Sequence, residues 1–149
     1  MEKTRIDFYR KWHGKPLEDW GSVVSKDYNA SQNAFKRVLT KMAEEMGAKL
    51  IHYSKMHYDE SAMFERDGKF VYILHSNRLF NRSTPVLHHI LIRVARHATD
   101  WTGCRNEYVD WSHLANKLDE MLGGTGEVED EDLFPMKQRY PETFSDSGW

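Results

Sequence analysis

One dipeptide constrains this chain more than any other feature: Asp67-Gly68, set between the β-rich runs His57 to Arg66 and Lys69 to Ser76. A two-residue hairpin turn needs positive φ at both central positions, which Asp tolerates and Gly accepts freely. Such a turn pairs Arg66 with Lys69, and the register of the whole ladder follows. One side then sets Phe64 opposite Val71, Ala62 opposite Ile73 and Glu60 opposite His75. The other sets Glu65 opposite Phe70, Met63 opposite Tyr72 and Ser61 opposite Leu74. Both sides are partly apolar, whereas a sheet covered on one side only alternates more cleanly. The second side is therefore expected either to be covered or to meet a partner.

The flanking segments supply the other elements. Ala34, Phe35, Val38, Leu39, Met42, Ala43 and Met46 recur with a helical rhythm, which predicts a helix from about Ala30 to Met46. Asn29 or Ser31 suits its start, and Gly47 sits where a left-handed C-terminal cap belongs. Ala48 to Ser54 reads as a strand, and so does Val86 to Ala95, whose β-branched content resembles a central strand. Asn77 to Pro85 reads as a polar connection and Arg96 to Asp110 as a loop. Asp110 or Ser112 is placed to cap a last helix, Trp111 to Leu122, with Leu114, Ala115, Leu118, Met121 and Leu122 as its apolar stripe. Before residue 29 Trp12, Trp20 and Phe8 are spaced irregularly: a short helix from Ile6 to Trp12 is expected, with the tryptophans as a lid on the core. The fold class is α+β: a four-stranded antiparallel meander with an N-terminal and a C-terminal helix packed on one face. Val38, Leu39, Met42, Phe64, Val71, Ile73, Leu91, Leu114 and Leu118 are its expected core.

Residues 1–126 read as a single domain, large enough for one real core, and residues 127–149 as an acidic C-terminal tail. The split is one of charge. The body holds 19 Lys/Arg against 16 Asp/Glu, and the tail holds 2 against 7. Mean hydropathy is −0.74 and no long apolar run occurs, so no transmembrane segment is expected. The one cysteine, Cys104, excludes an internal disulfide framework and a cysteine-based zinc site, and points to a reducing cytoplasm.

The candidate chemistry is sparse. Histidines are abundant, yet His52 and His57, or His88 and His89, fall on opposite faces of an uninterrupted strand, so no metal site is expected. Asp59 with Asp67-Gly68-Lys69 matches a nuclease spacing, but Asp67 belongs to the turn and its carboxylate points elsewhere. Glu60 opposite His75 makes an acid–base couple or a simple cross-strand ion pair at the sheet surface. The densest polar stretch runs from Arg93 to Asn106, where Arg93, Arg96 and Arg105 suit an anion and Trp101 offers a stacking plane. His97 and Asp100 are equally placed to pin that long loop from within. Arg93, Arg96, His97, Asp100, Trp101, Arg105 and Asn106 are the expected binding residues, with Met63, Tyr72 and Phe70 on the hairpin as second candidates.

Asp67-Gly68-Lys69-Phe70-Val71-Tyr72, then Ile90 to His97 through Asp100-Trp101-Thr102-Gly103 and Asn106, resembles small uncharacterised proteins of bacteriophages and conjugative elements of gut bacteria. The resemblance spans residues 48–122 and departs at Cys104, where a second glycine is expected. It implies a mobile-element origin, and small proteins of that kind often inhibit host defence, anti-CRISPR proteins among them. The expected function is accordingly a non-enzymatic inhibitor of a host defence complex. It would act by protein–protein contact in the host bacterial cytoplasm, with no catalytic residue, metal or cofactor. One alternative is a nucleic-acid or nucleotide binder using residues 93–106. The other is a small hydrolase or nuclease centred on His97 and Asp100.

Overall fold

The computed structural model describes residues 3–12, 22–56, 59–76, 90–109 and 113–128. They form an α+β fold in the order α1 (Lys3–Trp12), α2 (Ser22–Glu45), β1 (Lys49–Lys55), β2 (Asp59–Arg66), β3 (Lys69–Ser76), β4 (Ile90–Ala95), β5 (Glu107–Val109) and α3 (Leu114–Met121). The strands make one antiparallel sheet in sequential order, β1-β2-β3-β4-β5. No described helix is long and apolar enough to cross a membrane.

The hairpin has the register that its turn dictates. Asp67 and Gly68 both take positive φ, 52° and 78°, and Arg66 faces Lys69. Glu60 faces His75, Phe64 faces Val71 and Met63 faces Tyr72. The Gly68 amide donates to the Glu65 carboxylate at 3.1 Å, which fixes the turn further.

Four strands become five, because β5 lies inside the stretch expected to be loop. Its residues pair with Ile90 to Ile92, but three residues are too few to show a period in sequence. β4 begins at Ile90, and the expected start at Val86 lies outside the described residues, as does the Asn77 to Pro85 connection. The long helix starts at Ser22, well before Ala30, so Asn29 and Ser31 are interior and not caps. Their side chains serve tertiary contacts: Lys55 donates to Asn29 Oδ1 at 2.8 Å, and Arg5 donates to Ser31 Oγ at 3.1 Å. The helix closes as expected at Gly47, with the Ala48 amide on the Ala43 carbonyl at 2.8 Å and the Gly47 amide on Glu44 at 3.1 Å. The last helix starts at Leu114 behind His113, with no side-chain cap, and Asp110, Trp111 and Ser112 lie outside the described residues.

Near the N-terminus, Phe8 of α1 is buried against Tyr28 at 5.3 Å between ring centroids. The expected tryptophan lid falls on Trp12 and Trp20, whose side chains are outside the description, as are residues 129–149 of the tail.

The described residues form two apolar clusters. The larger joins Phe35, Leu39 and Met42 of α2 and Leu114 and Leu118 of α3 to Phe64, Val71, Ile73, Ile90 and Ile92 of the strands. Each fully buried side chain of this size contributes about 1.5–3 kcal/mol. The smaller holds Met63, Tyr72 and Ala95, with Phe70, Leu74 and Leu91 partly buried beside them. Of the expected core, Leu39, Met42, Phe64, Val71, Ile73, Leu114 and Leu118 are buried, while Val38 and Leu91 are partly so.

Candidate functional site

The hairpin's two sides lead to two polar assemblies of different character. On the side of Phe64, Glu60 and His75 are not at a surface: both side chains are fully buried. Arg5 reaches them from α1, donating from Nη1 to Glu60 Oε1 at 2.5 Å and to Ser31 Oγ at 3.1 Å. His75 Nδ1 lies 3.0 Å from Glu60 Oε2 and 3.4 Å from Arg5 Nη2. An ionised carboxylate has no proton to give, so Nδ1 carries it and donates. Burial alone would raise the Glu60 pKa, but the Arg5 charge and the His75 hydrogen bond overcome it and hold the carboxyl at about 2. Burial lowers the His75 pKa, against the pull of Glu60, and the imidazole stays neutral. The Arg5 guanidinium also stacks on Phe35 at 4.6 Å. The charges are thus paired and hydrogen-bonded under an apolar cover, as buried ions must be.

The sequence pairs Glu60 with His75 correctly but does not supply Arg5. The available signal was a physical one. A carboxylate on a core-facing strand position demands a cation, and Arg5 stands three residues before the core residue Phe8 on a helix.

The second side carries the segment from Arg93 to Asn106. Asp100 is covered by its own loop, with 3% exposure. It accepts from Arg96 Nε at 2.9 Å and Nη2 at 3.3 Å, from the Arg96 amide at 2.9 Å and from the Gly103 amide at 2.8 Å. The Arg96 guanidinium, then the Arg96 and Gly103 amides, hold its carboxyl well below the usual carboxylate range. His97 does not pair with Asp100; its Nδ1 accepts from the Thr99 amide at 3.3 Å. Arg93 is held apart from this clasp, donating to Asn106 Oδ1 at 3.0 Å. Arg105 is exposed. The expected polar cluster is therefore two separate pairs, Arg96 with Asp100 and Arg93 with Asn106.

The clasp turns the loop back over the sheet. Trp101 lies 4.7 Å from His52 and 6.0 Å from Tyr72, ring to ring, which covers Met63 between them. Met63 and Tyr72 are consequently buried and present little surface, whereas Phe70 is half-buried. Trp101 itself stays 42% exposed and Tyr108 66%. In register, Leu74 faces Leu91 and Leu91 faces Tyr108, so an apolar row crosses three strands. His52 and Tyr108 belong to this surface although the sequence reading did not include them; Tyr108 was hidden by the missed strand.

Among the described residues, no group of three His, Cys, Asp or Glu side chains gathers to hold a metal ion. Asp67 sits in the hairpin turn at φ 52°, away from the strands that a nuclease pattern would need. No protein-family model, curated protein or solved structure matches the chain.

Proposed function

We propose that this chain is a small non-enzymatic binding protein, with its helices packed on one face of the sheet and a partner protein docking on the other. The observation that carries this reading is the exposure of Trp101 and Tyr108 beside partly buried Phe70, Leu74 and Leu91, in a cluster that no described helical residue joins. Aromatic and arginine side chains in such a setting are the usual anchors of interfaces. The sheet edges are poorer docking strands. β1 is broken by a register shift between Leu50 and His52 and flanked by exposed Lys49 and Lys55, and β5 has only three residues.

The polar groups are occupied by structure, which weighs against catalysis. Glu60 and His75 are sealed from any substrate, and Asp100 is saturated by donors of its own loop. A nucleic-acid reading is weaker for a similar reason. Arg66 is spent on Asp119, Arg96 on Asp100 and Lys117 on Glu107, whereas binding to a polynucleotide neutralises several phosphates at once. For the partner class, the resemblance of residues 48–122 supports a host defence complex, and so an anti-CRISPR-like inhibitor acting in a bacterial cytoplasm.

The test is capture from a bacterial lysate with the full chain as bait. Leu91→Asp and Tyr108→Asp should each cut retention of the partner roughly thirtyfold, the scale of an interface hot spot, while Lys36→Gln on the exposed side of α2 should not. Retention unchanged in both face variants overturns the reading. Retention of DNA or RNA, falling steeply with salt, favours the nucleic-acid alternative instead.

A further inference from the structure

We infer that Arg93 is a preformed receptor for one carboxylate, and that the partner presents an acidic side chain flanked by apolar residues. The inference rests on the docking reading above and adds the partner's chemistry. Arg93 stands in the middle of the second face, opposite Tyr72. Its guanidinium carbon lies 4.5 Å from the centre of the Tyr72 ring. Gly103, at φ 54°, closes over its stem so tightly that a Cβ there would fall 2.7 Å from Arg93 Cδ and 2.8 Å from Nε. Nε is buried with no hydrogen-bond partner, and Nη1 is engaged by Asn106 at 3.0 Å. The side chain is therefore stacked, covered and pinned before any ligand arrives, and its rotamer entropy is already lost on folding.

What it lacks is a counter-charge. Arg5, Arg66 and Arg96 each hold a carboxylate within the fold; Arg93 has none among the described residues. With Nε covered, the donors left are Nη2 and the second proton of Nη1, the end of the fork, which matches the two oxygens of a carboxylate. Leu74, Leu91 and Tyr108 flank it on one side, and Phe70 and Ala95 on the other. Apolar contacts there would exclude water and strengthen the pair.

The same geometry disfavours a polynucleotide. The charged positions of this face on the described strands are Lys49, Asp59, Glu65 and Arg93, with Lys49 directly opposite Glu65, so the described strands carry no stripe of positive charge for a phosphate backbone to follow. One cation in an apolar field fits one acidic group in an apolar peptide.

The experiment is selection of a random peptide display library on the full chain, followed by affinity measurement with the best peptide made synthetically. Selected sequences should carry Asp or Glu next to Leu, Phe or Trp. Replacing that acid by its amide should weaken binding roughly tenfold to a hundredfold, the range for a hydrogen bond to a charged group. Arg93→Gln should bind the acid and amide peptides alike, and Arg93→Lys, which keeps the charge but not the fork, should fall between. Melting curves establish that each variant folds; should Arg93→Gln not fold, the acid-to-amide peptide pair on the unaltered chain still decides. Equal affinity for the two peptides overturns the receptor, and so does an acid preference that survives in Arg93→Gln. Apolar peptides without an acid, lost in Leu91→Asp, leave the docking face standing and remove only the receptor. Oligothymidine competing through Arg93 replaces the protein partner by nucleic acid. No enriched peptide at all defeats both readings.

Discussion

Two of the carboxylates that an arginine clasps in this molecule, Glu60 and Asp100, do different work. Glu60 is held by Arg5 across three elements, with both side chains fully buried. Asp100 is held by Arg96 four residues away, and the Arg96 side chain is 67% exposed. The first clasp fastens α1 to the sheet, so its charges are costly if left unpaired. The second shapes one loop, and two of its bonds come from backbone amides, those of Arg96 and Gly103. The difference teaches where the molecule holds its fold and where it shapes a surface.

The largest expected effect follows from breaking the buried clasp. Arg5→Ala or Glu60→Ala leaves an uncompensated buried charge and should cost about 3–5 kcal/mol, measured by urea unfolding. Replacing both by Met and Leu should recover much of that loss, because apolar pairs substitute well for buried ions. If the double variant is no better than the singles, the clasp is more than a paired charge.

Acid should act next, and through the same clasp. His75 has a folded pKa below its ordinary 6.5, so protonation favours the unfolded chain and stability should begin to fall below that pH. Glu60 is held at about 2 against an ordinary 4.5, so its contribution is present above pH 4.5 and is lost from there toward 2. Among the described residues, the charged and titrating groups bearing on the pair include Arg5, Asp59 and Tyr53. Melting temperatures through this range should show both falls, and His75→Gln should remove the first and leave the second, which Arg5 chiefly sustains, smaller.

Asp100→Ala should be milder and local. The Arg96 and Gly103 amides lose their acceptor, so their hydrogen exchange should quicken, and Trp101 fluorescence should shift to the red as the loop lifts. Arg96→Ala should be the smallest change of all, because the two amides still hold the carboxylate. An Arg96→Ala effect as large as that of Asp100→Ala would mean that the ion pair, not the amides, shapes the loop.

The sequence disclosed what short-range chemistry decides. Asp67-Gly68 set the whole β2–β3 register, and Gly47 marked the end of α2, because turns and left-handed caps admit few residues. Long-range partners were less legible. Asn29 and Ser31 read as caps, yet tertiary contacts from Lys55 and Arg5 use them inside the helix. Arg5 itself lay in a segment without clear period. The doubly apolar hairpin announced a second surface, but only the folded loop shows Trp101 covering Met63 and leaving Tyr108 open.

The most direct test of a division between a fold-holding side and a binding side uses Tyr108→Asp, a change on the most exposed of the large apolar residues. Its melting temperature and its capacity to retain the captured partner are measured on the same preparation. The expected result is an unchanged melting temperature with retention down roughly thirtyfold, the scale of an interface hot spot. Full retention at an unchanged melting temperature would contradict it.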